Sequence, residues 1–325
     1  MENQVIIDKI KNSIDKASKI LLVCHRNPDG DTLGAALSLA HFLETAKKGY
    51  ALFCQDSPAD FFRFLSKFEE LIIGEIGLGF KTQTNSGHDL IITLDCGDIE
   101  QTGLPEFLAN TKTPIVNIDH HITNTQFGDY NLVDADKAST TALLYQFFTK
   151  SQISISRNMA TCLLVGLLTD TGNFSNPATN SESLAIAARL VARGAQIREI
   201  NKYILQNKSI DVLKLWSRIF LRLQKISDFD LAWTVITQKD LAECGIDKKG
   251  LEGVANFLSK FSDSAITLIL EELENKEIKG SLRTNQDFID VSKFAKLMGG
   301  GGHAKAAGFR INGQLLETAG GWEIV

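Results

Sequence analysis

Short apolar runs alternate with segments of helical periodicity through residues 1–205. Continuous apolar runs predict buried strands at residues 19–24, 50–54, 89–94 and 114–116. Apolar positions at helical spacing, or apolar all round, predict helices over residues 4–18, 32–45, 60–70, 138–149, 158–168 and 181–205. Because strands that alternate with helices usually form a parallel sheet, we predict an N-terminal α/β domain over residues 1–205.

The pattern changes beyond residue 205. One long helix is predicted over residues 209–225, and we interpret residues 206–228 as a helical connector. A smaller α/β domain with a mixed sheet is predicted for residues 229–325, with strands at 231–237, 265–271 and 277–283 and helices at 251–261 and 288–298. The predicted fold class is therefore α/β, with a parallel-sheet N-terminal domain joined by a helix to a smaller mixed-sheet domain.

Composition narrows the class of protein. The chain has 325 residues, 44% hydrophobic and 22% charged, which is ordinary for a globular protein. A net charge of −5 disfavours binding to long nucleic acid, because such binding needs a basic face. The sequence has no apolar run of membrane-spanning length and no apolar core of a signal peptide, so we expect no membrane partner. Scattered cysteines without a Cys-x-x-Cys pair favour a reduced, cytoplasmic protein: Cys24, Cys54, Cys96, Cys162 and Cys244.

Acidic and imidazole side chains follow several of the predicted strands. Such strand ends are where open α/β sheets place their ligand crevices. The unusual residues are His25, Asp29, Asp31, Asp95, His120 and Asp170, with Asp98, Asp119 and His121 nearby. Asp31 is also a good N-cap for the helix predicted at 32–45, and Asp98 fits a solvated turn equally well.

Two imidazoles and four carboxylates are too many ligands for one ion. They suit two divalent cations that share a bridging carboxylate and a bridging water. Such a pair of cations stabilises both the attacking and the leaving oxygen in the displacement of a phosphoryl group. Mixed His and Asp ligands fit manganese well, and zinc, cobalt and iron remain alternatives on ligand type alone. The sequence therefore predicts a two-metal centre, most simply with Mn²⁺.

The motif Asp119-His120-His121 resembles the triplet that names the DHH phosphoesterase superfamily. Residues 25–31, 95–98 and 169–172 are similar to that superfamily's other motifs, and residues 299–308 resemble the glycine-rich motif of the DHH-associated C-terminal domain. The resemblance covers nearly the whole chain and is greatest to the nanoRNase/pAp phosphatase branch. It implies a homodimer as a plausible assembly and short oligonucleotides or nucleoside bisphosphates as partners.

The resemblance also implies a role for each residue. His25, Asp29 and Asp95 would hold one cation, and Asp31, Asp95, His120 and Asp170 the other, with Asp95 as the bridge. Asp119 would orient ligands, and His121 would face the substrate phosphate. In the C-terminal domain, the resemblance implies that substrate is bound by Arg283, Gly300, Gly301, Gly302 and His303, although glycines alone are equally typical of a flexible loop.

The resulting hypothesis is a phosphoesterase that hydrolyses very short oligonucleotides to 5'-mononucleotides, and also pAp to AMP, by attack of a metal-bridging hydroxide. One alternative is a phosphodiesterase for cyclic di-AMP or pApA. An inorganic pyrophosphatase is disfavoured, because that family lacks the pattern at residues 299–303. A non-catalytic nucleotide sensor is also disfavoured, since it predicts the loss of at least one metal ligand and the set is complete.

Overall fold

The computed structural model describes residues 2–74, 87–205, 209–246, 251, 253–318 and 321–325. The chain divides into two compact units, Met1–Asn207 and Lys208–Val325. Residues 206–208 of the predicted connector and residue 252 of the predicted helix 251–261 lie outside the described residues. Among the helices described, none combines the length and the apolar character needed to cross a membrane.

The first unit is built on a parallel sheet whose described strands have the order β3-β2-β1-β4-β5-β6. All five strand pairs are parallel, as the sequence predicts. The strands are β1 Lys19–Cys24, β2 Gly49–Cys54, β3 Leu71–Ile73, β4 Leu90–Leu94, β5 Ile115–Asp119 and β6 Tyr130–Val133.

Long helices cover one face of this sheet and form the larger apolar core of the unit. A smaller apolar cluster on the other face packs against a short helix and loops. The helices are α1 Glu2–Lys16, α2 Gly30–Thr45, α3 Pro105–Asn110, α4 Thr140–Lys150, α5 Arg157–Asp170, α6 Ser181–Ala192 and α7 Ile197–Ile200.

Helices α2 and α5 pack closely because glycines face each other where they meet. A Cβ atom on Gly34 would lie 2.4 Å from the Cys162 carbonyl oxygen, and one on Gly166 would lie 2.5 Å from Oδ1 of Asp31. Any larger residue at either position would force the helices apart. This close approach seals the Asp31 side chain, which is fully buried, between the helices.

Two local predictions for the first unit are wrong. Residues 60–70 form two separate 3₁₀ turns, Asp60–Phe62 and Phe68–Glu70, because Lys67 adopts a left-handed conformation with φ of 71°. The N-cap of α2 is Asp29 and not Asp31, since Oδ1 of Asp29 accepts hydrogen bonds from the backbone N–H groups of Asp31 and Thr32 at 2.9 and 3.2 Å. Because Asp29 caps the helix, the carboxylate of Asp31 can accept hydrogen bonds from other residues.

The second unit contains a mixed sheet with the described strand order β11-β12-β10-β9-β8-β7, in which only β8 and β9 pair in parallel. The predicted α/β class, with a parallel N-terminal sheet and a mixed C-terminal sheet, is confirmed. The elements are α8 Ile210–Leu221, β7 Gln224–Ile226, β8 Leu231–Ile236, α9 Gln238–Cys244, α10 Val254–Phe261, β9 Ile266–Glu272, β10 Glu277–Thr284, α11 Val291–Leu297, β11 Gly301–His303, β12 Ala306–Asn312, β13 Leu315–Thr318 and β14 Gly321–Ile324.

Helix α8, which the sequence suggests as a connector, contributes to the core of the second unit. Its buried residues pack with Ile236 of β8, Leu258 of α10 and Ile269 of β9. These residues recur at helical spacing along one side of α8, namely Val212, Leu215, Trp216 and Ile219. Helix α11 packs on a second apolar cluster in the same unit, where it buries Val291 and Ala295 against Leu282 and Phe309.

Candidate metal centre

The candidate ligands gather where the strand order of the parallel sheet reverses. Strands β1 and β4 are neighbours at that point, and the connections from them lead to opposite edges of the sheet. His25 follows β1, Asp95 follows β4, and His120 follows β5, so all three side chains lie at the carboxyl ends of adjacent strands. Asp95 has a positive φ of 62°, a conformation uncommon for a residue with a side chain and frequent at functional sites.

One group of possible metal ligands consists of His25, Asp29 and Asp95. Nε2 of His25 lies 3.4 Å from Oδ1 of Asp29 and 3.4 Å from Oδ2 of Asp95. Nδ1 of the same ring lies 2.6 Å from the carbonyl oxygen of Arg26. A proton on Nδ1 would be donated to that carbonyl, which leaves the lone pair of Nε2 directed at the carboxylates and available to a cation.

A second group consists of Asp31, His120 and Asp170. Nε2 of His120 lies 3.0 Å from Oδ2 of Asp170 and 3.7 Å from Oδ1 of Asp95. Its Nδ1 lies 3.2 Å from the carbonyl oxygen of Lys137, so this ring repeats the arrangement of His25. The short distance to Asp95 connects this group with the first one.

The N-terminus of helix α4 holds Asp31 and Asp95, the two most deeply buried carboxylates among the candidate metal ligands. The backbone N–H groups of Thr140 and Thr141 donate to Oδ2 and Oδ1 of Asp31 at 2.6 and 2.9 Å, and the Thr141 hydroxyl donates to Oδ1 at 2.7 Å. The Thr140 hydroxyl donates to Oδ1 of Asp95 at 2.8 Å. Unpaired N–H groups at a helix N-terminus favour negative charge, so this helix end stabilises both carboxylates.

His121 is anchored by a buried carboxylate. Its Nδ1 lies 2.7 Å from Oδ1 of Asp119, which is fully buried, and Asn124 donates to Oδ2 of Asp119 at 2.6 Å. The pKa of His121 is raised, above all by its bond to Asp119, and nearly half of its side chain is exposed. The same Nδ1 lies 3.7 Å from Oδ1 of Asp95, so Asp95, His120 and His121 form a third possible ligand group.

The electrostatics of the site favour bound cations. Burial raises the pKa of Asp31 well above its ordinary value, and repulsion from Asp95 and Asp170 raises it further. Burial lowers the pKa of His25 and of His120, but the surrounding carboxylates outweigh burial and raise these pKa values to about 11 and about 10. A cluster that attracts protons so strongly, with Asp and His donors, fits divalent cations, which supply the same positive charge.

Asp98 does not join the described ligand groups. Its Oδ1 instead accepts a hydrogen bond of 2.9 Å from the backbone N–H of Gln101 in the turn that follows β4. Of the two interpretations that the sequence leaves open for Asp98, the structure therefore supports the turn.

The predicted substrate residues of the second unit lie on or next to β10 and β11, the two strands that flank β12. Arg283 of β10 is opposite Ala306 of β12, which is in turn opposite His303 of β11. Directly opposed residues of antiparallel strands point to the same face, so Arg283 and His303 share one face, two strand spacings or about 10 Å apart. Partial burial lowers the pKa of Arg283, which makes an anion beside it favourable.

The glycines that precede His303 have different structural roles. A Cβ atom on Gly300 would lie 2.1 Å from the Gly308 carbonyl oxygen, and Gly302 combines a φ of 136° with contacts of 2.6 Å to β12. These two glycines are required by the close approach of the chain to β12. A Cβ atom on Gly301 would meet nothing within 4 Å, so open space lies over this residue.

Sequence reasoning missed the residues that support the ligands. Thr140 and Thr141 are identified only as part of the helix predicted at residues 138–149, and no role is predicted for Asn117 or Asn124. Asn124 donates to Oδ1 of Asn117 at 2.8 Å as well as to Asp119, which connects β5 to the loop beyond it. A pair of threonines at a helix N-terminus is a signal for anion binding. The sequence pattern does not show which carboxylates the two threonines bind.

Comparison with known proteins assigns both units to described families. The model of the DHH family N-terminal domain matches residues 19–167, and that of the DHHA1 domain matches residues 234–319. Two curated relatives carry the name bifunctional oligoribonuclease and PAP phosphatase NrnA. The one from Thermus thermophilus is 27% identical over 92% of this chain and 86% of its own length, and the one from Mycoplasma genitalium is 27% identical over 91% and 90%.

A solved structure supports the same assignment. The crystal structure of an exopolyphosphatase-related protein from Bacteroides fragilis matches with a TM-score of 0.86 at 25% identity, covering 96% of this chain and 92% of that chain. Residues 19–167 therefore belong to a DHH domain and residues 234–319 to a DHHA1 domain, and the protein is a hydrolase of phosphate esters.

Proposed function

We propose that the protein is a divalent-metal-dependent phosphodiesterase that hydrolyses very short oligonucleotides to 5'-mononucleotides and also converts pAp to AMP. The observation that carries this proposal is the convergence of six His and Asp side chains, with Asp95 among them, at the sheet's switch point. The names of the two NrnA relatives support the substrate class. In the reaction, water attacks phosphorus and the bond from phosphorus to the neighbouring 3' oxygen breaks.

The ligand groups support two cation sites that share Asp95. His25, Asp29 and Asp95 would hold one cation, and Asp31, Asp95, His120 and Asp170 the other, with Mn²⁺ as the cation that suits these donors. When bound, the cations stabilise charge that develops on the phosphoryl oxygens and make water a better nucleophile near neutral pH. The hydrogen bonds from the start of helix α4 hold the carboxylates of Asp31 and Asp95 in position for this purpose.

His121 would act on the substrate itself. Asp119 holds the ring through Nδ1, so Nε2 is directed away from that buried carboxylate and is free to donate a hydrogen bond. The raised pKa favours the protonated ring. A protonated His121 donates to a phosphoryl oxygen and stabilises the charge that builds up as water attacks.

The second unit would bind the part of the substrate that is remote from the reacting phosphorus. Arg283 offers a planar fork of donors to a phosphate. His303 lies on the same face of the sheet, and the open space over Gly301 allows a ligand to approach the backbone closely. Gly300 and Gly302 allow β11, which carries His303, to lie closely against β12.

A substrate panel tests the proposal. The purified protein with Mn²⁺ is offered 5'-phosphorylated di- and trinucleotides, pAp, cyclic di-AMP and pyrophosphate, with Asp95→Asn as the control. We expect hydrolysis of the dinucleotide and of pAp, at least a hundredfold reduced in the control. If the protein hydrolyses only cyclic di-AMP or only pyrophosphate, the proposed substrate is wrong. An Asp95→Asn variant that keeps full activity would contradict the proposed metal centre.

A further inference from the structure

A cleft of about 560 Å³ lies within the second unit, on the face of the mixed sheet that carries Arg283. This volume is within the range of about 300–1,000 Å³ that is typical of small-molecule sites. Strands β9, β10 and β12 and the start of helix α10 line the cleft, and its basic side chains are Lys279, Arg283 and Arg310. Leu251 and Ala255, which are only partly buried, add a small apolar surface that suits a sugar or a base.

The strand register defines the floor of this cleft. Lys279, Ser281 and Arg283 alternate along β10 and therefore share one face. On β12, Arg310 is opposite Lys279, Gly308 is opposite Ser281, and Ala306 is opposite Arg283. Small residues thus occupy the floor between the two arginines, which leaves room for a ligand that extends from one to the other.

The two arginines are too far apart to bind the same phosphate. Arg310 is one strand away from β10 and four residues removed from Arg283 along the strand direction. With a rise of about 3.3 Å per residue and a strand spacing of about 4.8 Å, their backbones are about 14 Å apart. An elongated anion with more than one phosphate could contact both.

Arg310 is also the more available of the two remaining cations. Lys279 is paired with Glu271, whose side chain is mostly buried, at 3.4 Å. Glu274 and Glu277 also line the cleft, yet within the described part of the chain no ion pair or side-chain hydrogen bond involves the exposed Arg310 guanidinium. A negatively charged group at this end of the cleft would therefore find a donor that is not already engaged.

We propose that Arg310 binds a further phosphodiester of the substrate, beyond the phosphate bound by Arg283, and so determines how strongly the enzyme prefers trinucleotides over shorter substrates. This inference rests on the proposed function, because it assigns a second anionic group of the same oligonucleotide. The ligand class is a 5'-phosphorylated oligonucleotide of at least three residues. Arg310 touches the substrate and not the reacting phosphorus, so it affects binding rather than chemistry.

The test compares Arg310→Gln with Lys296→Gln, which makes the same charge change on helix α11 and outside the residues that line the cleft. Steady-state constants are measured for pAp, a dinucleotide and a trinucleotide. We expect Arg310→Gln to raise the KM of the trinucleotide about tenfold and to leave kcat and the KM of pAp unchanged. Equal changes for every substrate, or none, would overturn the inference while leaving the proposed function intact.

A binding measurement decides the matter even if hydrolysis is absent. Fluorescence anisotropy with a labelled trinucleotide gives the slope of log K against log salt concentration for each protein. Loss of one phosphate contact should reduce that slope by about 0.7, whereas a change in folding alone would leave it as it is. An unchanged slope and affinity in Arg310→Gln would refute the assignment, and failure of the wild-type protein both to bind and to cleave the panel would refute it together with the proposed function.

Discussion

The Thr140 hydroxyl donates a hydrogen bond of 2.8 Å to Oδ1 of Asp95, the carboxylate that two of the ligand groups have in common. The backbone N–H of Thr140 donates to Oδ2 of Asp31 at 2.6 Å. One residue at the start of α4 therefore orients a carboxylate from each of two chain segments. Because both carboxylates are buried, their positions depend on these hydrogen bonds more than on contact with water.

Replacing the Thr140 hydroxyl should weaken metal binding without removing a ligand. In Thr140→Val, Asp95 loses a donor, and we expect metal affinity to fall about 10- to 100-fold, as is usual for residues that orient ligands. Manganese titration by calorimetry measures the change. Thr140→Ser retains a hydroxyl and should bind the metal nearly as well as the wild type. Loss of affinity in Thr140→Ser but not in Thr140→Val would show that the methyl group, and not the hydroxyl, is what matters.

His121 and His120 should respond differently to substitution. We expect His121→Asn to lower kcat by about 10²- to 10³-fold, because it removes a donor to the developing phosphoryl charge. Metal content, measured by elemental analysis, should stay at the wild-type level in this variant and fall in His120→Asn. A matching loss of metal in His121→Asn would identify His121 as a ligand, in agreement with its distance of 3.7 Å from Asp95.

The adjacent glycines Gly300 and Gly301 offer a matched pair of substitutions. Gly300→Ala places a methyl group against the Gly308 carbonyl and Phe309, so the free energy of unfolding should fall by about 1–3 kcal/mol. Gly301→Ala meets open space and should unfold like the wild type. The same methyl group should raise the KM for a dinucleotide, and a Gly301→Ala enzyme with unaltered KM would argue against substrate contact at this strand.

Asp240 links the stability of the second unit to pH. Burial by itself would raise the pKa of Asp240, but its bonds to Arg222 and Thr237 outweigh burial and lower the pKa below its ordinary value. The ionised form is therefore favoured in the folded state. Its contribution is fully present above the unfolded-state pKa of about 3.9 and is lost as pH falls through the lower folded-state pKa.

Asp240→Asn should consequently destabilise the protein at neutral pH. We expect the free energy of unfolding in urea to fall by about 1–3 kcal/mol at pH 7, since the variant leaves Arg222 with a neutral partner. The difference from the wild type should begin to shrink below about pH 4, where Asp240 of the unfolded chain becomes protonated, and should disappear below the lower folded-state pKa. A difference that is independent of pH would show that the charge of Asp240 is not its source.

The candidate ligands could be predicted from the sequence because each follows a recognisable element. His25, Asp95 and His120 come directly after apolar strands, and parallel strands bring their carboxyl ends to one edge. The sequence could not show that Asp29, and not Asp31, is the N-cap of α2, because both residues suit that position. The choice was decided by the tertiary contact with α4, which binds Asp31 more completely than a cap position would.

Other parts of the fold depend on contacts that leave little trace in local periodicity. Strand β11 consists of Gly301, Gly302 and His303, residues with no apolar alternation, and it forms because β12 offers a partner. Helix α8 has an apolar side that is equally consistent with a connector and with a core helix. Only the residues of β8, β9 and α10 that cover it show that it is part of the second unit.

Anomalous diffraction at the manganese edge from crystals soaked in Mn²⁺ tests the central claim most directly. We predict two manganese peaks about 3.5–4 Å apart, one bound by His25 and Asp29, the other by His120 and Asp170, and both bound by Asp95. A single peak, or two peaks of which only one contacts Asp95, would contradict the shared two-metal centre.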